Sequence, residues 1–469
     1  MTRTILSNKT YDSRWEALDQ RISDFIDFVR NPPSTLRDPD DFGRTYAFEQ
    51  LHRAAVRLRA FANSYLGYFD DFRTHRPPDG YTPEYAIALG LHQIGCDMEV
   101  LEQAAQQRLG HPTLTRISAW KTLYQADVMA RGIIEIAKPK FPQELAGTTA
   151  LVYFQKSPRF HGMPYAPLAL TAIPYSAIRQ PQDLLATPHE LGHYVYQSLK
   201  NTGKLSDLRV LAEHSWVGNW TEEIFADVFG YLVGGPMVSE SLQELLLRHS
   251  YTSFATANFH DTHPTPILRP FIYNLTLGKT KERLSTGEET AVRRWNDKKS
   301  KKTSDHKRKR AETVEAVEET VGSADEQILT PLGLPRPIEE LISTAAYKPQ
   351  DEKPVDYLVN QILTKLGIKK DMGKTDKEAM WQAKWAPSTE AWGKGLSDET
   401  VDQRIKAVFY EDYDKDLRKT LEPDNPRDMP LDEHPWQTWL NKHKKTEWLE
   451  LVHAEDWIEK PPDNWPKTG

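Results

Sequence analysis

The chain has one cysteine, Cys96, in 469 residues, so no disulfide can form within it and its core must hold without covalent cross-links. Long apolar runs are also missing. No stretch approaches the roughly 20 apolar residues that span a bilayer. The opening residues, Met1-Thr-Arg-Thr-Ile-Leu-Ser-Asn8, contain no apolar segment of signal-peptide length. Charge of one sign is weak for this size, at −7, so no global attraction to nucleic acid or anionic membrane is expected. These absences predict a soluble, cytoplasmic protein and exclude a disulfide scaffold. What is present suits a folded chain of two or three domains: 39% hydrophobic and 27% charged residues.

Residues 1–145 read as a helical N-terminal region. Trp15, Leu18, Ile22, Phe25, Ile26 and Val29 recur at helical spacing, as do Phe48, Leu51, Ala55, Leu58, Phe61 and Tyr65. Ala86–Leu109 and Leu114–Ala137 predict two more helices. The texture changes near residue 149. Ala150–Phe154 and Leu168–Ile173 are short β-type runs, separated by a turn-like Ser157–Pro164 that includes His161 as a loop histidine.

The stretch Thr187-Pro-His-Glu-Leu-Gly-His-Tyr194 contains H-E-x-x-H, expected within a helix over Leu184–Leu199. Residues four apart share a helix face, so His189 and His193 can aim two imidazole nitrogens at one ion, with Glu190 placed to take a proton from water. One Zn²⁺ per chain is the natural occupant of so nitrogen-rich a site. A competing reading is a capping box, with Thr187 as N-cap, Pro188 at the first helical position and Glu190 reaching back. A zinc site needs a third protein ligand. A second helical stretch, Asn219–Gly230, offers Glu223, with Asp227 four residues on to accept the other ring N–H of a ligand histidine. Glu213, His214 and Glu222 are rival ligands, and Glu222 is rotated about 100° from Glu223 on the helix.

H-E-x-x-H followed by a helix with E-x-x-x-D resembles the gluzincin class of zinc metallopeptidases. A later His263-Pro264 followed by Arg269 is similar to the CAAX-prenyl-protease-like members, which are membrane-embedded where this chain shows no span. The resemblance covers about residues 145–275. It implies a zincin-like catalytic domain with a small sheet ahead of the active-site helix. It also implies that Leu168–Ile173 is the edge strand pairing with extended substrate; on local signals alone these strands make an ordinary hairpin. Peptide hydrolysis needs a donor for the developing oxyanion. His263 is the candidate, and Arg269 a second oxyanion or substrate contact. The structural alternatives are a helix-capping His-Pro turn and an arginine paired with a carboxylate.

Beyond a further helix over Ser239–Phe254 the composition shifts. Residues 297–310 hold eight Lys or Arg against two Asp, and an acidic run follows. Residues 278–337 read as a charged linker rather than a nucleic-acid surface. Residues 338–469 carry eight of the 13 tryptophans among charged residues and prolines. This Trp-rich C-terminal region is expected to pack on the catalytic domain or on a regulatory protein partner.

The fold expected is therefore α+β, predominantly helical, with a metallopeptidase core at 146–277. The function expected is zinc-dependent hydrolysis of a protein or peptide substrate. The alternative is a catalytically silent, metal-stabilised scaffold.

Overall fold

A computed structural model describes residues 8–32, 42–71, 83–109, 119–208 except Pro164, 218–235, 263–264, 268–280 and 352–368, with the isolated positions 238, 241–242, 301, 304–305 and 308. It is mostly helical around one small sheet. Four helices come first: α1 (Asn8–Arg30), α2 (Phe42–Asp71), α3 (Pro83–Gln106) and α4 (Ala119–Ala137). Strands β1 (Thr149–Gln155), β2 (Arg159–His161) and β3 (Leu168–Pro174) follow. Then come α5 (Thr187–Asn201), α6 (Thr221–Gly234), α7 (Arg269–Thr280) and α8 (Glu352–Lys365).

The helical periodicities read from the sequence bury as expected. Ile22, Phe25 and Val29 of α1 and Leu51, Leu58 and Tyr65 of α2 are in the core. The charged and Trp-rich positions beyond residue 280 lie outside the described residues, apart from the isolated ones above and 352–368. So do Glu213, His214 and most of the helix expected over Ser239–Phe254.

The sheet order is β1-β3-β2, with β3 parallel to β1 and antiparallel to β2. This corrects two expectations. β3 is the central strand, not an edge open to substrate, and β1 and β3, the two runs expected to make a hairpin, pair in parallel. The reason is visible in the side chains. Every residue of β1 and β3 but the last is buried. Ala150, Val152, Phe154, Ala169 and Ile173 face one helical layer, and Leu151, Tyr153, Leu168, Leu170 and Ala172 the other. Strands covered on both sides read as continuous apolar runs, which is the parallel-sheet pattern. The layer of α1–α3 lies on one face. The layer of α4–α8 lies on the other.

The outer edge of β1 is closed by side chains. Arg108 donates to the Val152 carbonyl at 2.7 Å, and the Val152 amide donates to Asp127 at 2.7 Å. Gln107 takes the Phe154 amide at 2.6 Å and donates to its carbonyl at 2.8 Å. Such pairing removes an exposed strand edge. It also joins the layers, because Arg108 follows α3 and Asp127 belongs to α4. Their ion pair, 2.7 Å, is buried.

α8 brings the chain back onto the second layer. Val355, Leu358, Val359, Ile362 and Leu363 bury against the core. Lys279 of α7 pairs with Asp356 at 2.7 Å, and Asp207 pairs with Lys365. This segment of the C-terminal region packs on the core through aliphatic residues rather than tryptophan. None of the described helices is long and apolar enough to cross a membrane.

Arg108→Ala would strand the Asp127 carboxylate in the core. The expected loss is about 3–5 kcal/mol in denaturant unfolding. Arg21→Ala, which breaks the partly exposed pair with Glu102, should cost about 1 kcal/mol or less.

Candidate metal centre

The site forms where α5 crosses α6. A short 3-10 turn, Pro181–Ala186, runs directly into α5, so Ala186 is the N-cap and Thr187 makes no capping hydrogen bond. The Thr187 hydroxyl is buried without a hydrogen-bond partner. The capping-box reading is therefore overturned. Pro188 falls in the first turn, where its missing N–H interrupts no helical bond.

The two helices approach closely because glycine stands at the crossing. A Cβ on Gly192 would lie 2.7 Å from the Ala226 Cα, and one on Gly230 would lie 3.2 Å from the His189 Cα. This is the close packing that the helix-weakening Gly192 makes possible.

His189, His193 and Glu223 offer donor atoms that all lie within 4.8 Å of one another. The Nε2 atoms of the two histidines are 3.2 Å apart. Glu223 Oε2 is 3.3 Å from His189 Nε2, and its Oε1 is 3.4 Å from His193 Nε2. An ion bound tetrahedrally at about 2.0–2.1 Å has ligand–ligand edges of about 3.3–3.4 Å. The three residues therefore fit a metal ion, and Glu223 Oε2 is a buried oxygen without a hydrogen-bond partner.

Each histidine is turned inward by a carboxylate behind it. His189 Nδ1 lies 3.0 Å from Asp227 Oδ1, and His193 Nδ1 lies 3.0 Å from Glu222 Oε1. An Nδ1–H donated to a carboxylate leaves the Nε2 lone pair for the ion. Gln197 donates to the other Glu222 oxygen at 2.8 Å. Asp227 thus lies within hydrogen-bond reach of the second ring nitrogen of His189. Glu222, weighed only as a rival ligand, is the orienting group for His193. The signal was its 100° offset from Glu223, which points it at the next turn of α5.

Arg269, at the start of α7, is buried and fixed on Asp227, with contacts of 2.6 and 3.0 Å to its two oxygens. Its Nη2 also lies 3.5 Å from Glu223. The carboxylate-paired alternative for Arg269 is the arrangement found. Tyr273 adds a third donor to Asp227 at 3.0 Å. His263 stands at the rim: its side chain is 62% exposed, and its Nε2 is 3.2 Å from Glu223 Oε1. Glu190 is nearly buried beside His189, and its side chain bonds to no described residue. His161, expected in a loop, is instead buried at the end of β2, 2.8 Å from Asp97.

The two buried carboxylates are held in their charged form. Burial works against charge on Glu223, but the close contact with His189 and the charges of His193 and Arg269 hold its carboxyl well below the ordinary range. Burial likewise opposes ionisation of Asp227, and Arg269 and His189 outweigh it. For His189, burial and Arg269 pull down, yet bonds to Asp227 and Glu223 raise it to about 9.

Three outcomes follow from this geometry. Glu222→Ala should weaken metal binding about 10–100-fold without removing a ligand, measured by competition with a chelator. Gly192→Ala should push α5 from α6, costing about 1–3 kcal/mol in thermal unfolding and lowering metal retained after dialysis. In chelator-treated protein, the raised His189 contributes stability below its unfolded value near 6.5, and this is lost as pH rises through about 9. The melting-temperature gap to His189→Gln should therefore shrink from pH 6.5 to 9.

Comparison of the chain with family models, curated proteins and solved structures finds no match.

Proposed function

We propose that the protein is a zinc-dependent endopeptidase. The observation that carries this reading is the inward-facing His189, His193 and Glu223 set, with Glu190, whose side chain bonds to no described residue, one residue along α5. The order of H-E-x-x-H, Glu223–Asp227 and His263-Pro264 with Arg269 supports a gluzincin-type, zincin-like core similar to the prenyl-protease-like group. Zinc is favoured over harder ions because two of the three donors are imidazole nitrogens.

When bound, zinc supplies Lewis acidity, lowering the pKa of water in its open position and polarising a carbonyl. The chain's own groups do the rest. Glu190 takes a proton from the attacking water, whose oxygen forms the new bond to the carbonyl carbon. Glu190 then delivers that proton to the nitrogen as the C–N bond breaks. His263, mostly exposed and 3.2 Å from Glu223, is the proposed donor to the carbonyl oxygen as it gains charge. Asp227 and Glu222 hold the two imidazoles in register, and Arg269 holds Asp227.

The test has two parts. Elemental analysis of the purified protein should give about one zinc per chain, lost in His189→Ala and Glu223→Ala. A peptide library incubated with the wild type should be cleaved, and Glu190→Gln should keep its zinc while losing at least about 100-fold in rate. Full activity in Glu190→Gln would sink the assignment. Bound zinc with no cleavage of any peptide would leave the metal-stabilised scaffold as the better account.

A further inference from the structure

The two histidines of the metal centre are backed by carboxylates in very different settings. Asp227, behind His189, has a side chain that is 0% exposed. It also accepts from Arg269 at 2.6 and 3.0 Å and from Tyr273 at 3.0 Å. Those donors belong to α7, so the His189 ring is braced across three helices. Glu222, behind His193, has a side chain that is 33% exposed. One of its oxygens faces His193 Nδ1 at 3.0 Å, and the other accepts from Gln197 at 2.8 Å. Both partners belong to α5.

The Glu222 side chain turns about three bonds with water in reach, so its aim at His193 has to be imposed. Gln197 imposes it. His193 and Gln197 are four residues apart, one helical turn, and so share a face of α5. A carboxylate held by both spans that turn. It cannot swing from His193 while the Gln197 bond lasts.

We propose that Gln197 is a positioning residue of the metal centre, and that the His193 arm it braces is the side on which a bound metal ion exchanges with solvent. The proposal rests on the zinc-site reading and deepens it, and it is independent of peptide cleavage. His189 cannot turn away without taking a donor from a fully buried charge, which is costly. His193 can turn once Glu222 swings outward, because water rehydrates a partly exposed carboxylate. Loss of the ion therefore starts at His193, with water taking the place of its ring nitrogen. Gln197 sets how often it starts.

The experiment is stopped-flow transfer of zinc from the loaded full-length protein to a pyridylazo dye chelator. Gln197→Leu removes the donor, and Gln197→Glu keeps the size but sets a second carboxylate against Glu222. Both should release zinc at least about tenfold faster than the wild type. Gln197→Arg, which restores a donor, should bring the rate back to within about threefold. Tyr273→Phe takes one donor from Asp227 and should change the rate by less than about threefold. Ser198→Ala, which removes a bond to the Tyr194 carbonyl on the same helix, should leave it unchanged. In cobalt-loaded protein, Gln197→Leu should weaken the visible absorption of the tetrahedral ion, a change that lower helix stability alone does not produce. Release from Gln197→Leu and Gln197→Glu within about twofold of the wild type, or faster release from Tyr273→Phe than from either, would overturn the proposal. A wild type that binds no added zinc would remove the proposal and the metal centre together. If the wild type cleaves no peptide yet the release pattern holds, the peptidase reading fails and the role of Gln197 stands.

Discussion

The Asp227 carboxylate is the point on which the site depends. It is fully buried, and burial alone would make it neutral or expel it. It stays ionised because three donors from two other helices converge on it: His189 from α5, and Arg269 and Tyr273 from α7. Each of these contacts also fixes something else. The His189 bond sets which ring nitrogen would face a metal ion. The Arg269 bond ties the start of α7 to the middle of α6 and brings a cation within 3.5 Å of Glu223. A charge that would be a liability alone becomes a joint between three helices.

The joint is precise only because the helices can touch. Spacings of 3.2–3.4 Å among three donor groups leave little tolerance. That tolerance is set by backbone-to-backbone contact at Gly192 and Gly230 rather than by side chains that could adopt other rotamers. The sheet contributes by being buried on both faces, which makes it a rigid floor between the two helical layers.

Much of this was legible in the sequence, for definable reasons. The i, i+4 spacings of His189–His193 and Glu223–Asp227 are one-helix properties, and helix geometry carries them directly into space. Capping depends on the residue before the helix as well. The 3-10 turn ahead of Thr187 made the local box pattern irrelevant. Strand order is not a local property, so nothing in Leu168–Ile173 announced that β3 would enter between β1 and β2. The apolar character of both runs did carry the two-sided burial. Glu222 was discounted for its rotation away from Glu223, although that rotation is what aims it at His193. In the C-terminal region the eight tryptophans are the conspicuous docking signal. The docking helix was instead written in Val355, Leu358, Val359 and Ile362, an ordinary 3.6-residue pattern.

The place of α8 bears on how the protein is made. Its apolar face covers α6 and α7, which carry Glu223, Asp227 and Arg269, yet it begins 71 residues after α7 ends. At a synthesis rate of ~5–20 residues per second, α6 and α7 leave the ribosome several seconds before their cover exists. The nascent chain must shield that surface in the interval, and the final geometry of the metal helices is set late. Assembly of the candidate centre thus waits on sequence that contributes no atom to it.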